Sequence, residues 1–199
     1  TYIRARNHLG HYSNFYYGMS GHSHAKKVKH QKEATAAQRS KVFSKLASEI
    51  TIAARSGGKD STSNPRLRAA IEKAREVNMP SDNVERAVRR GTGEDTGQQL
   101  EELLLEALGP NNIAILITAI TDNRNRTLGE IRRILQEHQG KLVGEGSVRW
   151  MFERQGSEWV PKSDCIVTAD EQATQKLEKL VEALDENDAV QEIYSTLKD

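Results

Sequence analysis

The stretch Gly91-Thr92-Gly93-Glu94-Asp95-Thr96-Gly97 divides this 199-residue chain into halves that follow different rules. Before it, apolar residues recur at helical spacing; after it, short apolar runs alternate with glycine-marked turns and helical segments. Charge changes at the same place. Residues 1–93 hold 18 Lys and Arg against 7 Asp and Glu, and residues 94–199 hold 11 against 21. The net charge of +1 therefore conceals a basic domain suited to a polyanion and an acidic one with another task. Mutual attraction of the two halves is the alternative reading of the same charges. The expected fold is α+β, with a basic arm and helical domain over 19–91, a linker over 92–97 and an acidic α/β domain over 98–199.

Several classes drop out. The longest apolar run, Ile113 to Ile120, is broken by Thr118 and is too short to span a bilayer, so no membrane partner is expected. The single cysteine, Cys165, excludes an internal disulfide framework and a cysteine-rich zinc site. Residues 1–18 look foreign to the rest, with Tyr2, Tyr12, Tyr16 and Tyr17 beside His8, His11 and Phe15. They are read as an upstream, disordered segment, with Met19 as the expected start. They have no apolar signal region, and Arg4 and Arg6 without acids match a mitochondrial presequence only in charge. A cytoplasmic location is expected, or the mitochondrial matrix if that segment is a native presequence.

The basic half reads as three helices. From about Lys32, Phe43, Leu46, Ile50 and Ala53 or Ala54 form an apolar stripe, with Lys41, Lys45 and Arg55 on another face and Gly57-Gly58 as a left-handed stop. Asn64-Pro65, a cap followed by proline, opens a second helix that buries Leu67, Ala70, Ile71 and Ala74. Arg66 and Arg68 stay outside it. The third starts near Ser81 or Asp82, where Asp82 and Glu85 have capping-box spacing, and ends in Arg89-Arg90-Gly91. Ahead of the first helix, residues 22–32 form a flexible cationic arm carrying Lys26, Lys27, Lys29 and Lys32. Such an arm can follow a phosphate backbone and release counterions. With Arg39, these cations are the candidate nucleic-acid-binding set.

The acidic half reads as an antiparallel or mixed sheet covered by helices on one face. Leu103–Leu108 and Ile113–Ile120 are strands joined by the Gly109-Pro110-Asn111-Asn112 turn. A helix follows over 124–138, a strand over 148–153, a short strand over 165–168, a helix over 171–184 and a closing strand over 190–194. At the strand-to-helix junction Thr121 to Thr127, Arg124 and Arg126 could hold a phosphate or carboxylate beside the first-turn amides. Equally, Asp122 or Asn123 caps the helix while the arginines pair with local acids.

No reaction centre emerges. Residues 53–60 lack the first glycine and the final Ser or Thr of a phosphate-binding loop. Five of six histidines lie within residues 1–30, which leaves His138 as the sole imidazole of the α/β half. A non-enzymatic protein without cofactor or metal is expected, and a monomer.

Gly21-His22-Ser23, Lys41-Val42-Phe43-Ser44-Lys45-Leu46, Ala53-Ala54-Arg55 and Asn64-Pro65-Arg66-Leu67-Arg68 resemble the YebC/PmpR family. So do Asn78-Met79-Pro80, Thr121-Asp122-Asn123-Arg124-Asn125-Arg126-Thr127, Gly146-Ser147-Val148 and the segment Asp188 to Tyr194. The resemblance implies an N-terminal helical domain followed by α/β domains. It also implies a role among DNA-binding transcriptional regulators, a mitochondrial translational activator of cytochrome oxidase and ribosome-associated factors that assist proline stretches. Two departures stand out. The family's additional α/β domain is missing, since only Arg154 to Glu158 bridges its place. His24-Ala25 also replaces the family's Lys-Trp.

The visible cations suit phosphate tracking rather than base readout, and no two-helix recognition turn is evident. Between residues 21 and 93 Phe43 is the sole aromatic, which argues against an RNA stacking platform there. The expected partner is therefore rRNA or the ribosome, with DNA as the alternative, and the acidic domain is available to a protein partner.

Overall fold

The computed structural model describes residues 2–5, 24–95, 99–156 and 158–198, with the backbone alone over 2–5 and 24–35. It is an α+β protein of two compact units, residues 8–96 and residues 97–199 with 1–7; the described residues of the first form helices, and those of the second form the sheet unit.

The helical unit contains α1 (His24–Gly57), α2 (Pro65–Glu76) and α3 (Ser81–Gly91). Helix α1 starts at His24, so residues 24–32 are helical rather than a flexible arm. Nothing between His24 and Ser56 breaks a helix: the stretch has no Gly or Pro and is rich in Ala and Lys. Its C-terminal half buries Leu46, Ile50, Ala53 and Ala54 against Leu67, Ala70 and Ala74 of α2 and Ala87 of α3. The helix stops at Gly58, whose φ of 82° is left-handed. The N-cap of α3 is Pro80, which has no side chain to cap with, and Asp82 lies inside the first turn. The expected capping box is thus not formed; Asp82 favours the helix dipole instead.

The small residues Thr51, Ala54, Ala87 and Gly91 let α1 and α3 approach closely. The Thr51 hydroxyl reaches the Ala87 carbonyl at 3.1 Å. A β-carbon on Gly91 would strike the Thr51 carbonyl oxygen and sit 2.8 Å from the Ala54 methyl. Gly91 therefore belongs to the packed end of α3 rather than to a linker.

In the sheet unit, β2 (Glu101–Leu108) and β3 (Ala114–Thr121) pair antiparallel through a turn in which Asn111 and Asn112 both have left-handed φ. They are followed by α4 (Arg124–Glu137), β4 (Lys141–Leu142), β5 (Phe152–Gln155), β6 (Glu158–Pro161), α5 (Glu171–Asp185) and β7 (Val190–Lys198). Residues 2–5 form a further strand, β1, which pairs with β7. That corrects the expectation of disorder for those four residues; the remainder of that expectation, residue 1 and residues 6–18, lies outside the described residues. The main sheet runs β1-β7-β3-β2-β4, with every strand pair antiparallel, and β5-β6 form a separate hairpin.

Strand alternation sets the two faces. Leu103, Leu105, Ile115 and Ile117 pack under Ile131 and Leu135 of α4 and Leu177, Leu180 and Leu184 of α5. The opposite face, with Ala114, Leu116 and Tyr194, is covered by Val148 and Phe152. Two expected strands differ. Residues 149–151 form a 3-10 turn, and the strand starts only at Phe152. Residues 163–165 likewise form a 3-10 turn, followed by one isolated parallel bridge, Val167 to Leu197. Where the resemblance expects a further domain, β5 passes into β6 across Gly156, whose φ is 64°.

Candidate nucleic-acid interface

The end of the helical unit where α1 stops is organised by Asn64. Its side-chain Oδ1 accepts from the Leu67 N–H at 3.0 Å and caps α2. Its Nδ2 donates to the Ala53 and Gly58 carbonyls, both at 2.9 Å, at the end of α1. Gly57 makes room for it, since a β-carbon there would lie 2.6 Å from Nδ2. Asn64 is 4% exposed, so one buried amide joins the end of α1 to the start of α2. The Gly91 contact brings the end of α3 to the same place, with a β-carbon position 3.2 Å from the Arg55 backbone nitrogen.

Three helix ends thus converge, and each brings exposed arginine: Arg55 from α1, Arg66 and Arg68 from the first turn of α2, Arg89 and Arg90 from the last turn of α3. The Arg68 guanidinium donates to the Thr62 carbonyl at 3.4 Å. Lys59, in the intervening loop, pairs with Glu94 at 2.9 Å. That ion pair, with Arg89 nearby, holds the Glu94 carboxyl below its ordinary value. Asp60 is turned onto its own loop, accepting from the Thr62 hydroxyl at 2.7 Å and amide at 2.9 Å, which lowers its pKa. Asp60 and Glu94 are thus already engaged.

The other expected cations fall elsewhere. Lys26, Lys27, Lys29 and Lys32 lie on the first turns of α1. At about 1.5 Å per residue, Lys29 and Arg55 are roughly 40 Å apart along that helix. Arg39 is exposed between them. Lys45 is 5% exposed and Lys41 is half-buried, which corrects their placement on an outer face. The physical reason is that α1 buries Ile52 as well as the Leu46–Ile50 stripe, and Lys45 is one of the residues on that second face, where its aliphatic stem can lie along apolar surface.

In the sheet unit, Asn123 caps α4 by accepting the Arg126 N–H at 3.0 Å. Arg126 pairs with Asp122 and approaches Glu130 at 3.9 Å, and Arg124 lies 3.7 Å from Glu101. Of the two readings of this junction, the geometry has the capping one, with both arginines engaged by local acids. His138 ends α4, its Nδ1 2.9 Å from the Ile134 carbonyl oxygen. Desolvation and the adjacent Asp164 carboxylate push the Cys165 thiol up, away from an activated nucleophile. Among the described residues no cluster of three or more His, Cys, Asp or Glu is placed to hold a metal ion, and no helix is long and apolar enough to cross a membrane.

Sequence reasoning missed Glu106. This carboxylate, 4% exposed in the middle of β2, accepts the backbone N–H groups of Gly146 and Val148 at 2.6 Å and of Arg149 at 2.8 Å. Burial alone raises its pKa, but the three donors with the Arg149 charge outweigh that and hold it below the ordinary value. A lone Glu within an apolar strand was the available signal. Its partner segment, Gly146-Ser147-Val148, is one of the motifs quoted above.

Residues 23–94 match the family model of the TACO1/YebC protein N-terminal domain, and residues 100–158 that of the TACO1/YebC second and third domain. A probable transcriptional regulatory protein of Petrotoga mobilis is 48% identical over 169 residues, covering 85% of this chain and 67% of the relative. One of the same name from Chloroherpeton thalassium is 53% identical over 145 residues, 73% of this chain and 58% of the relative. The crystal structure of a conserved hypothetical protein from Aquifex aeolicus superposes with a TM-score of 0.76 at 33% identity, covering 88% of this chain and 97% of that one.

Proposed function

Because the chain belongs to the TACO1/YebC family, we propose that it is a non-enzymatic, nucleic-acid-binding regulator of gene expression that works on the ribosome through rRNA. The observation that carries this reading is the convergence of Arg55, Arg66, Arg68, Arg89 and Arg90 on one end of the helical unit. Exposed guanidiniums on three rigid helix ends suit phosphates that approach from several directions, as they do in folded RNA. These arginines are spread over three helix ends instead of lining one helix face, which supports phosphate contact more than base readout. The lysine-rich sequence at the start of α1 adds further cations about 40 Å away along the helix, a span that suits a large RNA.

DNA-bound transcriptional regulation is the second reading, favoured by the name that the bacterial relatives carry. Those bacterial relatives support a cytoplasmic setting and give none to a mitochondrial matrix location. Co-sedimentation with purified ribosomes near physiological salt, with excess duplex DNA as competitor, separates the two readings. Pelleting that survives the DNA, and that drops when Arg66, Arg68, Arg89 and Arg90 are changed to Gln, is the expected result. Pelleting abolished by DNA, together with sequence preference on duplexes, would move the protein to transcription.

A further inference from the structure

We propose that the β5–β6 hairpin with its preceding 3-10 turn is a second nucleic-acid contact, which stacks an unpaired base on Trp150 and meets the adjoining phosphates with Arg149 and Arg154. The inference rests on the reading that the chain binds nucleic acid, but on observations in the sheet unit alone.

Trp150 is 57% exposed, the most exposed large apolar side chain among the described residues. An indole open to water is not by itself a site; its setting is what points to a ligand. The Trp150 Nε1 donates to the Ser147 carbonyl at 3.1 Å, which fixes the ring by its polar edge and satisfies its one donor. The backbone beneath is held as well, because Glu106 binds the N–H groups of residues 146, 148 and 149. A ring so fixed loses little freedom when a base lies on it.

Charge is sorted around it by strand register. In the hairpin Phe152 pairs with Pro161, Glu153 with Val160, Arg154 with Trp159 and Gln155 with Glu158. Alternation puts Arg154 and Trp159 on one face and Glu153 and Glu158 on the other. Arg149 joins the first face: its guanidinium lies 5.3 Å from the Trp159 ring centre, and that of Arg154 lies 5.6 Å from it. One face of the hairpin thus carries two arginines on an indole, the exposed Trp150 follows Arg149 directly in the chain, and the hairpin's two acids face away. Aromatic platform plus backbone-seeking cations is the arrangement that binds single strands without regard to sequence. The same composition is absent from the helical half, where residues 36–93 have only Phe43 as an aromatic.

The test uses the intact chain, whose two tryptophans both belong to this site. Tryptophan emission is titrated with a twelve-nucleotide oligouridine, the matching oligothymidine and a duplex of equal length. Quenching by the single strands and little by the duplex is expected; oligothymidine acting like oligouridine assigns the contact to the base, and oligouridine alone assigns it to ribose as well. Trp150→Ala should lose most of the quenching and bind the oligouridine roughly tenfold more weakly, while Trp150→Phe retains affinity. Duplex quenching as strong as single-strand quenching, or unchanged affinity in Trp150→Ala with native circular dichroism, overturns the proposal. Oligonucleotide or ribosome binding that persists without any tryptophan response also overturns it and leaves the proposed function standing. A chain that binds no nucleic acid in either assay overturns both, and leaves the hairpin to a protein partner.

Discussion

Asn64 and Glu106 are each a single buried polar side chain that satisfies three backbone groups, but with opposite chemistry. Asn64 supplies one acceptor and two donors. Asparagine and aspartate are about equal as N-caps, so Asn64→Asp would be neutral if capping were its whole role. The two carbonyls at Ala53 and Gly58 make it otherwise: a carboxylate would face both of them without a proton to give. Asn64→Asp is therefore expected to cost about 2–3 kcal/mol in urea unfolding, as much as Asn64→Ala. Glu106 supplies acceptors only, to three N–H donors. Glu106→Gln replaces one of its oxygens with a donor facing donors, and should cost about 3 kcal/mol by the same measurement. A loss under 1 kcal/mol would show that the loop over 144–149 holds itself. The capping role of Asn64 was legible because Asn-Pro before an apolar stripe is a local signal. Its two donor contacts and the whole of the Glu106 site were not, since the partners lie 6, 11 and about 40 residues away and no local window contains them.

Helices α4 and α5 were readable from one periodic apolar face each, and β2 and β3 from short apolar runs bounded by a turn, because all of them pack on a common core. The segment over 148–153 was not, because its backbone follows the Glu106 carboxylate rather than its own pattern. Lys45 misled for a related reason: a helix that buries two faces does not show a single stripe. At this scale the crossing of α1 and α3 gives a prediction with an unusual sign. Gly to Ala inside a helix normally stabilises by up to about 1 kcal/mol. Gly91→Ala should instead destabilise by about 2 kcal/mol, because its methyl would collide with the Thr51 carbonyl and the Ala54 side chain. A melting temperature that rises would show that the crossing can open at no cost. The N-terminal turns of α1 give another. Changing Lys26, Lys27 and Lys29 together to Gln should reduce the salt dependence of ribosome or RNA binding by roughly one unit of log slope per lost phosphate contact, read by binding titrations at several salt concentrations. An unchanged slope would show that the start of α1 makes no phosphate contact.

For the whole molecule, the charge division becomes a difference in acid response. The sheet unit holds the buried Glu106 carboxylate with its lowered pKa, and both tryptophans. A lowered folded value means that the stabilisation is complete above the ordinary glutamate range and is lost as pH falls through that range towards the folded value. The carboxylates held below their ordinary values in the helical unit, Asp60 and Glu94, are surface groups, whose pairing contributes little to stability. On acid titration, tryptophan emission should therefore change at higher pH than the helical signal at 222 nm, to which α1–α3 contribute most; Glu106→Gln should remove much of the difference. Coincident transitions would mean that the two units unfold as one. The sheet order has a consequence for the sequence of events during synthesis. β7, the last strand along the chain, lies between β1 and β3, and Thr118 and Glu192 are bonded across 74 residues. The helical unit is complete once Gly91 has left the exit tunnel, and can acquire its arginine-bearing surface at that moment. The sheet unit must wait with β3 unpaired on one side until β7 arrives. Each newly made copy thus has its basic half folded while its acidic half is still being built.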